Sequence, residues 1–192
     1  MAQTVSNVSA AKPKIGGAIF IADTSATMPT SAASSLGTGW SALGYVSSDG
    51  LTNSNSPNTS GVTAWGGDEV ITLYNEKTDT FNFKLLEVLN VDVLKAVYGE
   101  SNVSGTLQTG ITINANNKEV PAKAYCFDMV MRNGALKRIV VPTANVTSVG
   151  DITYKDSDTV AYDTTISAHP DASGNTHYEY ISSATGATGA NG

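Results

Sequence analysis

Apolar positions in this chain fall mostly into short runs with a period of two, the spacing that turns one face of a strand inward. Ala18-Ile19-Phe20-Ile21-Ala22 reads as a first strand. Residues 24–61 are dominated by Ser, Thr, Asn and Gly, with Asp49 as their only charge. Within them, Trp40 to Val46 predicts a strand, Asp49-Gly50 a turn and Thr52 to Gly61 a long polar loop. Val62 to Trp65 predicts a short strand ended by Gly66-Gly67, and Glu69 to Asn75 another. A turn at residues 75–79 leads into Thr80 to Val88, where Phe81, Phe83 and Leu85 alternate with Thr80, Asn82 and Lys84. One short helix is expected, with Asn90 as its N-cap, Asp92 in its first turn and Gly99 at its end. Its narrow apolar face, Val93, Leu94, Val97 and Tyr98, must dock on a sheet for the helix to persist.

Ile111 and Ile113, alternating with Thr112, read as a further strand in the polar stretch 101–117. Val120 to Arg132 predicts a long strand with Tyr125, Phe127, Met129 and Met131 on one face and Ala122, Ala124, Cys126, Asp128 and Val130 on the other. Asn133-Gly134 predicts a two-residue hairpin turn, since both residues tolerate positive φ. Leu136 to Val141 pairs back and Pro142 ends it. Val146 to Tyr154 and Val160 to Ala168 follow, joined by a turn at residues 155–158, and residues 177–181 read as a last strand. The sum is a mostly-β sandwich or barrel with one short flanking α-helix, preceded by an arm over residues 1–16 and followed by a small-residue tail over 182–192.

Composition narrows the class. Charged residues make up 15% of the 192 positions, against roughly 25% in average globular proteins. The net charge is −6 and no run of Lys or Arg exists, so tight binding to a nucleic-acid backbone or a membrane surface is disfavoured. No stretch is long and apolar enough to span a bilayer, and the polar start does not read as a signal peptide. The one cysteine, Cys126, allows no internal disulfide, which fits a reducing cytoplasm or a particle assembled there.

Candidate chemistry is sparse. Gly37-Thr-Gly39-Trp-Ser-Ala42 matches the loose dinucleotide fingerprint but lacks its strand and helix. His169, Asp171 and His177 are the residues from which a metal site would be drawn, and they read more simply as a surface turn and a strand. Asp156 and Asp158 read as turn formers, and Cys126 as an inert buried thiol. The aromatic strip Phe81, Phe83, Tyr125 and Phe127 reads as core, because base-stacking platforms come with basic grooves. No catalytic, cofactor or metal site is expected, and no enzyme.

What remains is geometry: arms, a long uncharged loop and a polar alternating face, all suited to lateral assembly in which each copy covers the sheet edge of the next. Trp40-x-x-Leu43-Gly44-Tyr45-Val46-Ser47-x-Asp49-Gly50, then Val62-x-Ala64-Trp65-Gly66-Gly67-Asp68, carry a family resemblance in their order. Thr80-Phe81-x-Phe83-x-Leu85-Leu86-Glu87, Ala124-Tyr125-x-Phe127-Asp128, residues 138–142 and Val149-Gly150-Asp151-Ile152-x-Tyr154 continue it. From about residue 15 to residue 181 the chain resembles the major tail tube protein of long-tailed, non-contractile bacteriophages.

The resemblance implies hexameric rings that stack into a hollow tube, with the inner sheets joined into one continuous barrel around a lumen through which the genome leaves. It implies polymerisation around a tape-measure protein with tail assembly chaperones, contacts with tail tip and head–tail connector proteins, no cofactor, and a place in the virion after assembly in the host bacterial cytoplasm. The loop 47–61 would reach a neighbouring subunit, with Trp40, Leu51, Asn53, Asn55, Pro57 and Trp65 as expected contacts. Thr80, Asn82, Lys84, Asp151 and Asp163 are the expected lumen-facing residues, and an acidic lumen lets DNA slide past without specific binding. The competing reading is a monomeric carbohydrate- or host-surface-binding β-module, in which Trp40 and Trp65 stack on sugar rings.

Overall fold

Phe81, Phe83 and Leu85 alternate with polar neighbours because their strand lies with one face on a core, and the computed structural model, which describes residues 4–183, shows what that core is. The strands are β1 (Ala11–Pro13), β2 (Ile19–Asp23), β3 (Ser41–Ala42), β4 (Val46–Thr63), β5 (Glu69–Leu85), β6 (Val103–Thr106), β7 (Gly110–Ile113), β8 (Lys123–Met131), β9 (Leu136–Val149), β10 (Tyr162–Ala168) and β11 (Tyr178–Ser182). The one α-helix among the described residues, α1, spans Val91–Tyr98. Nine strands form one antiparallel sheet in the order β3-β2-β8-β9-β10-β5-β4, with β1 added to β8 and β11 to β9. A small separate ladder joins β6 to β7.

The sheet is strongly curled. Strands β8 and β5 are three strand spacings apart in the order, about 14 Å if the sheet were flat. Yet the Phe81 ring of β5 stacks on the Phe127 ring of β8 at 5.4 Å, and Phe83 meets Phe127 at 5.7 Å. The aromatic strip is therefore core, wrapped inside the curl with Leu43, Leu85, Val141 and Ile166. The curl stops short of closure: among the described residues no ladder joins β4 to β3 or β1, so the expected closed barrel or two-sheet sandwich is not formed by the single chain.

Helix α1 forms where its caps predict. The Asn90 side chain accepts from the Asp92 N–H at 3.0 Å, and Gly99 ends the helix at φ 92°. Val93, Leu94, Ala96 and Val97 are buried against the sheet, which stabilises a helix too short to stand alone. Tyr98 meets the Tyr162 ring of β10 edge-on at 5.9 Å.

Several strands run further than the sequence pattern suggests. The stretch expected as a polar loop over 52–61 is strand, as is the expected turn at 75–79. Together they make one long hairpin, β4 with β5. Conversely, the segment Trp40 to Val46 contributes only the two-residue β3 before β4 begins. Pro142 does not end β9. It lies where β9 exchanges its partner β11 for β10 and where the β8 register slips between Lys123 and Tyr125, so its missing N–H breaks no ladder bond the sheet needs. The strand expected over Val146 to Tyr154 ends at Val149.

The β8–β9 connection also differs from the expected two-residue turn. The Gly134 N–H donates to the Met131 carbonyl at 2.8 Å, the Met131 N–H donates to Ala135 at 2.7 Å, and only Gly134 has positive φ (82°). This is a three-residue loop with glycine in the left-handed position, and it sets Asp128 opposite Arg138.

That register builds the second buried layer, on the sheet face away from the aromatic core. Arg138, 1% exposed, forks onto Asp128 through Nε at 2.6 Å and Nη2 at 2.7 Å. Its remaining nitrogen donates to the carbonyls of Ser31 and Ser34, each at 2.9 Å. The irregular segment between β2 and β3 is thereby fastened over the sheet. Cys126 lies under this cover, fully buried; burial first, and then the Asp128 charge, push its thiol up to about 12.

Candidate assembly interface

The root of the long hairpin is fixed by a cluster whose parts lie far apart in sequence. Asp79 is 1% exposed at the point where β5 leaves the core. Its Oδ1 accepts from the Asn53 Nδ2 on β4 at 2.8 Å, and its Oδ2 from the Thr176 hydroxyl at 2.5 Å, with His177 Nδ1 also at 2.5 Å. His177 in turn sets its ring edge-on to Phe81 at 5.4 Å. Burial opposes ionisation of Asp79, but the hydrogen bonds from Thr176, Asn53 and His177 outweigh it and hold its pKa below the ordinary carboxylate value. A lowered folded-state pKa contributes stability that is present above the unfolded value, about 3.9, and is lost as pH falls through the folded one. Asp79→Asn is expected to cost about 1–3 kcal/mol at neutral pH and to flatten the stability curve below about pH 4 relative to the native chain. Thermal melts of both proteins from pH 6 to pH 2 check this; parallel curves would refute it.

Beyond Asp79 the hairpin leaves the body of the protein. From the Ser54–Thr80 pair to the Thr63–Glu69 pair it extends about 30 Å at ~3.4 Å per residue. All its residues from 54 to 78 are exposed on both faces. Many are apolar: Val62, Val70, Ile71, Leu73 and Tyr74 are exposed, and Trp65 at the tip is 108% exposed. Val62 and Ile71 are cross-strand partners. A two-stranded ribbon with apolar groups on both faces and no third strand is marginal in water, so this segment has the composition of something covered.

The residues expected as contacts divide by place. Asn55, Pro57 and Trp65 lie on the exposed ribbon, while Asn53 is engaged at the root with Asp79 and with the Thr80 carbonyl. Leu51 packs partly against the core. Trp40 is half-buried, its indole N–H donating to the Thr27 carbonyl at 3.2 Å.

Four of the five expected lumen residues come together on one outer face of the β5–β10 ladder. Lys84 pairs with Asp163, Asn82 with Thr165 and Thr80 with Ser167. The Asn82 amide donates to Asp163 Oδ1 at 2.7 Å and to the Thr165 hydroxyl at 3.0 Å. This face is polar and of mixed charge, with small hydroxyls and one neutral amide network. Asp151 stands apart, exposed in the irregular segment after β9.

A cleft of about 900 Å³ opens where the two ends of the curled sheet approach without pairing. One wall is the excursion between β1 and β2, which leaves the β8 edge at Lys14 and rejoins it at Ala18, carrying the fully exposed Ile15. The other is a bulge in β4 over residues 47–50, between the Val46–Leu85 and Leu51–Phe83 pairs. Gly44 sits at the bottom at φ 72°, its missing side chain leaving room for the Glu87 carboxylate, which accepts from the Tyr45 N–H at 3.0 Å.

Two of the residues weighed for metal chemistry have structural partners in the fold. His177 belongs to the Asp79 cluster, and Asp171 closes a turn by accepting from Ser173, Asn175 and the Tyr178 hydroxyl. Sequence reasoning missed Asp79, Thr176 and Arg138 as anchors. The one available signal was Asp128, a lone acid in an apolar strand. No helix among the described residues is long and apolar enough to cross a membrane.

A family model described as phage tail tube protein matches residues 7–191 of the chain. No curated protein matches it.

Proposed function

Because the chain belongs to the phage tail tube protein family, we propose that its copies join side by side into six-membered rings and stack into a hollow tube, each hairpin lying on a neighbouring copy. The protein is a structural, lumen-forming component of the virion and not an enzyme. The outer hairpin carries the finer reading: a fully exposed ribbon with Val62, Ile71, Leu73 and Trp65 on its surfaces needs a partner to bury it. In that assembly Asn55, Pro57 and Trp65 contact the neighbour, Leu51 shapes the seam it meets, and Trp40 is a further contact on the body of the protein. The polar face of Thr80, Asn82, Lys84 and Asp163, with Asp151 beyond it, lines the lumen and offers DNA no basic groove to hold it. The open sheet ends of six copies are completed by one another, which removes the free edges of each. A tape-measure protein and tail assembly chaperones set the length and timing of polymerisation, and tail tip and head–tail connector proteins close the two ends.

Electron microscopy of the purified full chain, with and without tape measure and chaperones, tests this. Rings or tubes with a central channel are the expected result. A protein that stays monomeric at every concentration and in every mixture would sink the reading, and saturable glycan binding by such a monomer would favour the carbohydrate-binding module instead.

A further inference from the structure

Among the described residues, nothing of its own chain fills the cleft between the sheet ends, and nothing covers the apolar anchor at the hairpin tip. Resting on the tube reading, we infer that the two are counterparts: the Trp65 tip of one copy docks in the seam cleft of the next.

Reach excludes the intramolecular alternative. The cleft begins at Leu51, and β4 then runs to Thr63 before the tip, which puts Trp65 roughly 40 Å from its own cleft at ~3.4 Å per residue. The occupant is therefore a second copy. Shape agrees. The tip is Ala64-Trp65-Gly66-Gly67-Asp68, and both glycines have positive φ with open space where a Cβ would stand, so the backbone can enter closely behind the indole. The cleft offers Ile15, Tyr45, Leu51 and Met129 as apolar lining.

Charge agrees as well. Asp68 and Glu69 follow the tryptophan, and Lys12 and Lys14 stand on the cleft wall. Of the acidic groups in the lining, Asp128 is neutralised by Arg138 and Lys14, while Glu87 is held in place by the Tyr45 N–H and the Asn90 amide and Asp49 by the Ser47 hydroxyl. Lys14 is paired with Asp128 at 3.5 Å, so Lys12, which has no ion pair among the described residues, is the rim cation that meets the acidic tip. The contact is head-to-tail, one patch meeting a different one, so every copy keeps a free tip and a free cleft until a ring closes or a stack ends. That is the contact a polymer requires.

The test uses the full chain under conditions in which it forms tubes. Ile15→Cys combined with Ala64→Cys is expected to give a ladder of disulfide-linked multimers on oxidation, while Tyr154→Cys combined with Ala64→Cys gives none. Trp65→Ser is expected to raise the critical concentration for assembly roughly tenfold or more, the effect of removing a central aromatic anchor. Lys12→Glu and Asp68→Lys should each weaken assembly, and the two together should restore it. Tubes of the first pair that stay uncross-linked, or that cross-link no better than the second pair, overturn the docking while leaving the tube reading intact. If the cysteine pair assembles poorly, the charge exchange decides: a double variant no better than either single one overturns the inference. Failure of the native chain to polymerise overturns both.

Discussion

Cutting the hairpin short should abolish tube formation and leave a folded monomer. Ser56 and Thr78 are cross-strand partners, so residues 57–77 can be replaced by Asn-Gly, the two-residue turn that joins directly opposed positions. The Asp79 cluster at the root is retained. No side chain from 57 to 77 is buried, so the monomer should keep its stability within about 1 kcal/mol and its melting temperature within a few degrees. The assembled state loses Trp65 and the apolar pairs behind it. At ~2 kcal/mol for each hot-spot residue, assembly should require a concentration at least roughly a hundredfold higher. Sedimentation and electron microscopy read the assembly, and circular dichroism reads the fold. Tubes formed at the native concentration would show that the hairpin is not an assembly element; an unfolded product would show that the ribbon supports the monomer.

The second large effect lies on the opposite face. Arg138 ties the irregular segment between β2 and β3 to the sheet through the Ser31 and Ser34 carbonyls, while also neutralising Asp128. Arg138→Met removes the charge and both carbonyl contacts and leaves Asp128 buried, with only Lys14 at 3.5 Å as a counter-ion. Removing one member of a buried ion pair costs about 3–5 kcal/mol, which at this chain length lowers the melting temperature by roughly 6–20 °C. Arg138→Lys should recover only part of this, because an ammonium cannot fork onto Asp128 and still reach two carbonyls. Asp128→Leu combined with Arg138→Met should recover more than Arg138→Met alone, since no unpaired charge is then buried. Thermal melts of the variants decide the matter, and a loss under about 1 kcal/mol for Arg138→Met would contradict the anchoring role.

These anchors show where sequence reasoning ran out. The helix was legible because Asn90 and Gly99 act locally, and the aromatic core because Phe81 and Phe83 alternate within a few residues. The outer hairpin was not, because the signal for a strand is burial of one face, and residues 54–78 bury neither. Polar residues without periodicity read as loop, though cross-strand hydrogen bonds hold them as strand.

The Arg138–Asp128 pair was hidden by one residue of register. An Asn133-Gly134 two-residue turn sets Asp128 opposite Ile139, while the three-residue loop sets it opposite Arg138. The Asp79 cluster was out of reach for a simpler reason: Thr176 and His177 are 97 and 98 residues away along the chain. Among the expected lumen residues, Thr80, Asn82 and Lys84 share a face by period two alone, and only the β5–β10 pairing adds Asp163 to them.

Cys126 gives the protein a built-in gauge of its own opening. Enclosed between the aromatic core and the Arg138 layer, with its thiol pushed up to about 12, it is closed to alkylating reagents as long as the fold is shut. Its labelling therefore keeps time with opening of the domain itself and ignores what the exposed hairpin does. A subunit locked in a tube and a subunit free in solution can be compared on that one clock, without attaching any probe to the surfaces that meet.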